Sequence, residues 1–239
     1  MENIGAIDIF DTKGTEYLFV IGYLLVLIVF WKFASRPVKL AGQIKNVLGI
    51  FTPNMMKVPQ GLFFSKNHTW THLEKSGIAN VGLDDLLSHI TGEISFNNIK
   101  APGEIVHKGE LLTEIGHDGK VLKISSPISG EVVDVNPMLE QEEGLLNEDP
   151  YGNGWICQIK PDNWVAETKS YYLAGEASSW AKKELERFKD FIAVSMQKHS
   201  PHMSNVVLQD GGELRDNTLA NLPDGVWKDF QESFLEDLG

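Results

Sequence analysis

Turn signals recur through the middle of this chain at intervals that leave room only for short strands. Gly61, Ser76-Gly77, Pro102-Gly103, Lys108-Gly109, Asp118-Gly119 and Ser129-Gly130 punctuate segments in which apolar and polar residues alternate. Spacing of that kind predicts a mainly β fold, a small barrel or sandwich. Trp155-Ile156-Cys157-Gln158-Ile159 is one alternating strand, so Cys157 reads as a small buried thiol. As the chain's single cysteine it allows neither an internal disulfide nor a cysteine metal cluster. Leu83, Leu86, Leu87 and Ile90 instead fall on a helical stripe, with Asp84 and Asp85 at the end where acids suit the helix dipole.

Ile115-Gly116-His117-Asp118-Gly119-Lys120-Val121 is the most informative of these turns. Asp-Gly tolerates positive φ at both positions, which a tight hairpin between two strands requires. A glycine at the tip gives the turn backbone freedom and offers no side chain there. His117 and Asp118 are exposed-tip residues that a partner could read, although polar turn residues also collect at tips without a function.

Four segments between Gly61 and Lys160 stand out: Phe63-Phe64-Ser65-Lys66-Asn67-His68-Thr69-Trp70, Ala79-Asn80-Val81-Gly82-Leu83, Ser126-Pro127-Ile128-Ser129-Gly130-Glu131-Val132-Val133, and Leu146-Asn147-Glu148-Asp149-Pro150-Tyr151-Gly152 closing on Gly154-Trp155. In this order they resemble the H protein of the glycine cleavage system, the first being similar to that family's entry strand, the second to its next run, and the last two carrying the likeness furthest. Two echoing segments, Gly103-Glu104-Ile105-Val106 and Gly130-Glu131-Val132-Val133, fit the fold that the resemblance implies: a flattened, quasi-symmetric biotinyl/lipoyl-type barrel, or barrel-sandwich hybrid. The resemblance also implies a lipoyl-bearing lysine at the hairpin tip, seven residues before the serine of Ser-Pro. That position is Gly119; Lys120 is one residue off, and the acid expected three residues before the lysine falls on Gly116. The main expectation is therefore an H-like chain without lipoate. The alternative is a lipoyl carrier modified on Lys120 or, less favourably, Lys123.

The chain carries additions at both ends. From Tyr17 to Trp31 no charge interrupts an apolar run, and about 18 helical residues would reach about 27 Å, near a hydrocarbon core. Acids where a basic leader should lie argue for a retained anchor over a cleaved signal. The expected organisation is a short extracytoplasmic tail over 1–16, a transmembrane helix over 17–34, a juxtamembrane connector over 35–60, the H-like domain over 61–165 and a helical extension over 166–239. Lys32, Arg36, Lys39 and Lys45 follow the run, so the positive-inside bias places the main domain in the cytoplasm, on a single-pass inner-membrane chain. Leu40, Ile44, Val47 and Leu48 are spaced for a short amphipathic helix in the connector.

In the extension, Ala177 to Gln197 reads as a helix with Trp180, Leu185, Phe188, Ile192 and Met196 on one side. Pro223 opens a last helix with Val226, Trp227, Phe230, Phe234, Leu235 and Leu238 on one stripe. Aromatic faces serve interfaces and cores alike. Trp180, Phe188, Trp227, Phe230 and Phe234 are accordingly candidate partner-binding residues, with packing on the chain's own barrel the open alternative.

A net charge of −12 with no concentrated basic face excludes nucleic acid as a partner. Seven histidines raise a metal question. His68 and His72, an even four apart and so on one strand face, number too few for a site and read as structural. The carboxylates at Glu142-Glu143 and Glu148-Asp149 have no base spaced with them, and Asp149 with Gly152 is explained as a turn. Phosphate-binding loops and nucleophile elbows do not appear. The chain is thus expected to be no enzyme, but an accessory subunit whose partners are the lipid bilayer and other subunits of a membrane complex, with a respiratory or electron-transfer complex as the expected host. A periplasmic efflux adaptor is the third reading; it predicts a long heptad hairpin that is not present.

Overall fold

The computed structural model describes residues 9–34, 50–97, 99–142, 144–200 and 214–236; within 9–34 it describes the side chains of 17–28, 30 and 31. The expected connector helix, the turn at Asp210-Gly211-Gly212, His202 and Leu238 lie outside the described residues. Two compact units result, 1–44 and 45–239.

The first unit holds α1 (Ile9–Ala34). Its side chains at 17–28, 30 and 31 are exposed. Among the described residues no helix is long and apolar enough to cross a membrane. This corrects the expected span and, with it, the placement as a single-pass inner-membrane protein with a cytoplasmic main domain, which rested on that span alone.

In the second unit the strands run β1 (Ile50–Phe51), β2 (Phe63–Phe64), β3 (Thr69–Leu73) and β4 (Ala79–Leu83), followed by α2 (Asp85–Thr91). Then come β5 (Ser95–Asn97), β6 (Ile105–Val106), β7 (Leu111–His117), β8 (Lys120–Ser125) and β9 (Gly130–Val135). A short α3 (Leu145–Glu148) leads to β10 (Trp155–Pro161), α4 (Trp164–Thr168) and the long α5 (Ala174–His199). The chain closes with β11 (Leu214–Arg215), a 3-10 turn at Leu219–Asn221 and α6 (Asp224–Asp229), which continues as a π-helical stretch over Phe230–Leu235.

A six-stranded sheet has the order β2-β3-β4-β10-β9-β6, and a three-stranded sheet the order β5-β7-β8. Alternation buries Ala79, Val81 and Leu83 of β4 and Leu122 and Ile124 of β8, while in β7, where the register shifts between Leu111 and Thr113, Leu112 and Ile115 are buried, and all share one apolar core. The echoing segments pair with one another, Ile105 opposite Glu131 and Val106 opposite Gly130. Gly82 is fixed by packing, because a Cβ there would sit 2.6 Å from the Trp70 ring. Trp70 in turn donates from Nε1 to the Pro150 carbonyl at 3.0 Å, inside the turn that Asp149 closes by accepting from Gly152 and Asn153.

The expected flattened barrel is not closed: among the described residues no ladder joins the six-stranded and three-stranded sheets, and a separate two-stranded ladder pairs β1 with β11. A physical reason lies at the β8 edge. Lys123 N donates to Gln231 Oε1 at 2.7 Å, so a side chain of the C-terminal segment takes one hydrogen bond that a closing strand would have made.

Both predicted C-terminal helices form. Trp180, Leu185, Phe188, Ile192 and Met196 of α5 are all buried, as are Val226, Trp227, Phe230, Phe234 and Leu235 of the last segment. Each large apolar side chain so buried contributes roughly 1.5–3 kcal/mol. The stripes cover the chain's own sheets, which is the packing alternative for Trp180, Phe188, Trp227, Phe230 and Phe234. Cys157 is buried, and desolvation pushes its thiol up to about 12.

Candidate functional site: the hairpin tip and the segment above it

β7 and β8 pair down to His117 opposite Lys120, leaving a two-residue loop. Asp118 and Gly119 have φ of 49° and 82°, the pair of left-handed conformations that such a loop demands. The Asp-Gly turn expected from sequence is therefore present, with Gly119 at its tip. A Cβ built on Gly119 would meet nothing within 4 Å, so the tip faces open space.

Lys120 is the first residue of β8, and its side chain does not extend into solvent. Nζ donates to the carbonyls of Ala220 at 2.8 Å and Leu222 at 2.9 Å, and lies 5.5 Å from the centre of the Trp227 ring. Both carbonyls precede the last helix, Ala220 within the 3-10 turn and Leu222 just before Pro223, whereas the Pro223 carbonyl accepts from Val226 and Trp227. Trp227 is fixed by its own Nε1 bond to the Leu219 carbonyl at 2.7 Å. Its indole also stacks with the His117 imidazole, ring centres 6.4 Å apart and nearly parallel. His117 donates from Nδ1 to the Glu93 carbonyl at 2.6 Å, while the Asp118 side chain stays exposed. Lys123, the lesser acceptor expected from sequence, projects from an exposed position of β8.

A second constellation holds the same segment from its other side. His68 has φ of 58°, so it precedes β3 in a left-handed turn and points inward, whereas His72 is exposed with Nδ1 on the Gly61 carbonyl. The two histidines therefore do not share a strand face, which corrects the sequence expectation. His68 Nδ1 donates to Asp84 Oδ2 at 2.7 Å, and Nε2 lies 3.6 Å from Glu184 Oε2. Its ring is sandwiched between Trp180 and Phe234 at 5.4 Å each. Burial acts to lower the His68 pKa, but Asp84 and Glu184 outweigh it and hold the pKa up at about 9. Asp84 does double service, since its other oxygen accepts from Leu87 N and caps α2. Arg187 joins Glu184 at 2.7 Å, donates to the Phe234 carbonyl at 3.1 Å, and lies 3.7 Å over the Phe234 ring. At the far end of α5, Ser195, Lys198 and His199 all reach Asp229.

Sequence reasoning placed the hairpin and both stripes but missed Glu184, Arg187 and the two carbonyls on Lys120. A charged residue on the apolar stripe was the available signal for Glu184. Backbone carbonyls carry no residue-type signal.

Residues 62–184 match the family description "Glycine cleavage H-protein". A probable glycine cleavage system H protein of Thermococcus gammatolerans is 37% identical over 126 residues, 53% of this chain and 91% of that protein. The glycine cleavage system H protein of Bacteroides fragilis is 37% identical over 108 residues, 45% of this chain and 85% of that protein. Among solved structures, that of the glycine cleavage system H protein from Mycobacterium marinum aligns with a TM-score of 0.46 at 23% identity, covering 52% of this chain and 98% of that one.

Proposed function

This chain belongs to the glycine cleavage H-protein family, and on that footing we propose that it is a non-catalytic carrier of the lipoyl type whose acyl acceptor is Lys120. The observation that carries this reading is a two-residue hairpin with a lysine flanking the turn at 120, in a chain of the glycine cleavage H-protein family. A primary amine beside such a turn is the right functional group for an amide-linked arm. When bound, lipoate would supply a dithiolane able to carry a group between partner proteins. In the arrangement described, however, the arm does not fit. Nζ already spends two hydrogens on Ala220 and Leu222 beneath an indole, and an amide nitrogen keeps only one. The carrier reading therefore requires a state in which the last segment has left the hairpin.

The test is intact-mass analysis of the full chain co-expressed with a lipoate–protein ligase in lipoate-supplied cells. A lipoyl adduct on the wild type that is lost in Lys120→Arg and kept in Lys123→Arg supports the reading. No adduct on the wild type, under conditions that modify another H protein, refutes it.

A second reading, an unlipoylated H-type docking module, is favoured by one specific observation: the tip residue is Gly119, in open space, and the neighbouring amine is structurally engaged. Here Lys120 acts as a tie, and the tip serves recognition through Asp118 and His117. This reading predicts that Gly119→Lys gains an adduct that the wild type lacks. Modification of the wild type on Lys120 would count against it.

A further inference from the structure

We propose that the C-terminal segment from Leu219 to Leu235 is a built-in lid on the hairpin, holding the Lys120 amine shut and lifting before any acylating enzyme can reach it. The inference deepens the carrier reading and rests on it for its biological role, while the lid itself stands on geometry alone.

Five contacts, each at the hairpin or on the edge of β8, converge on one short segment. The Ala220 and Leu222 carbonyls take two of the three ammonium hydrogens, and Trp227 covers the remaining approach at 5.5 Å. The same indole stacks on His117 across the hairpin. Gln231 accepts from Lys123 N at 2.7 Å, so the segment also covers the exposed edge of β8 next to the acceptor. An enzyme that reads the tip as a strand-turn-strand surface meets tail at each of these points.

Acylation sharpens the conflict. It needs the neutral amine, whose lone pair forms the new C–N bond while the activating group leaves the acyl carbon and a proton passes to solvent. An ammonium donating to two carbonyls has no lone pair to offer, and the amide product could satisfy only one of them. The closed lid and the acylated lysine are therefore competing states, and a group that binds one of two states shifts the balance between them.

The lid is built to stay closed without being welded. Its inner face is apolar and buried, but its ties to the β7–β8 hairpin are the Lys120, Lys123 and His117 contacts, and its hold on α5 passes through Asp229 and through Arg187 at Phe234.

The experiment uses the full-length chain purified without lipoate and two probes. One is an N-hydroxysuccinimide ester of acetate, with labelling rates mapped at Lys120 and at the exposed Lys182 and Lys183 of α5. The other is a lipoate–protein ligase with lipoate and ATP. Wild-type Lys120 should label at least about tenfold more slowly than Lys182, because opening by a factor of ten or less would need almost no closing energy. Trp227→Ala should bring Lys120 to the rate of Lys182 without changing Lys182 itself. Should that variant fail to fold, Gln231→Ala, which removes an exposed contact only, should accelerate Lys120 several-fold, on the order of one lost hydrogen bond. Equal labelling of Lys120 and Lys182 in the wild type overturns the lid, as does no acceleration in a folded variant. The ligase separates the two claims. A Lys120 freed towards the ester but never lipoylated keeps the lid and removes the carrier reading. Equal lipoylation rates in wild type and variants keep the carrier and remove the lid.

Discussion

Replacing His68 by asparagine should abolish most of the alkaline pH dependence of this protein's stability. In the unfolded chain a histidine gives up its proton near 6.5, and in the fold His68 holds its proton up to about 9. The folded value is raised, so the contribution is complete below about 6.5 and disappears as pH climbs through about 9. The gap between the two values corresponds to on the order of 3 kcal/mol. Glu184 behaves oppositely: burial works to raise its pKa, but His68 and Arg187 hold it below the usual carboxylate range, so its contribution is lost on acidification. Cys157, whose folded thiol stays protonated, adds a further loss only above about 9. Asparagine is the informative replacement because it tolerates the left-handed backbone that His68 adopts, so that charge is removed without backbone strain. Urea unfolding across pH 6 to 9.5 reads the effect. The wild type should lose roughly 3 kcal/mol between pH 6.5 and 9. His68→Asn should be nearly flat over that window and less stable at pH 6 by about 3–5 kcal/mol, since Asp84 then lies buried without its cation and Glu184 keeps only Arg187. A variant with the wild-type slope, or a wild type with none, would refute the argument that a charged His68 holds α5 and the last segment to the entry strand.

Gly82→Ala should destabilise the fold by about 1–3 kcal/mol in thermal or urea unfolding, because its Cβ would lie 2.6 Å from the Trp70 ring, which is held by the Pro150 carbonyl. Wild-type stability in that variant would mean that Trp70 is not fixed as described. Cys157 should resist a thiol-specific reagent in the native state and react at once in denaturant, as its burial and raised pKa dictate.

Much of the second unit was legible because its signals are local. Asp118-Gly119 specifies its own turn, alternation marks β4 and β10, and the 3.6-residue stripe from Trp180 to Met196 marks α5. The same stripe could not say what it covers, since burial against a sheet and burial against a partner leave identical patterns; only the packed core placed Trp227 over His117 and Phe234 over His68. His72 and His68 illustrate a different failure. Period-two reasoning assumes extended backbone at both, and the left-handed turn at His68 rotates one of them inward. The closed barrel failed for a non-local reason as well, because a glutamine more than a hundred residues away in sequence bonds to the β8 edge. The membrane span followed from composition over 17–34, whereas among the described residues no helix meets the length and apolarity required.

The central claim, that Lys120 is an acyl acceptor kept under a lid, is tested most directly by the mass of the hairpin peptide from protein isolated from the cells that make it. A mixed population is predicted, in which a fraction of the Lys120-containing peptide carries a lipoyl amide and the unmodified remainder is slow to react with amine reagents until Trp227 is removed. A peptide that is wholly unmodified in lipoate-replete cells, or whose Lys120 reacts as freely as Lys182 in the intact protein, would contradict the account.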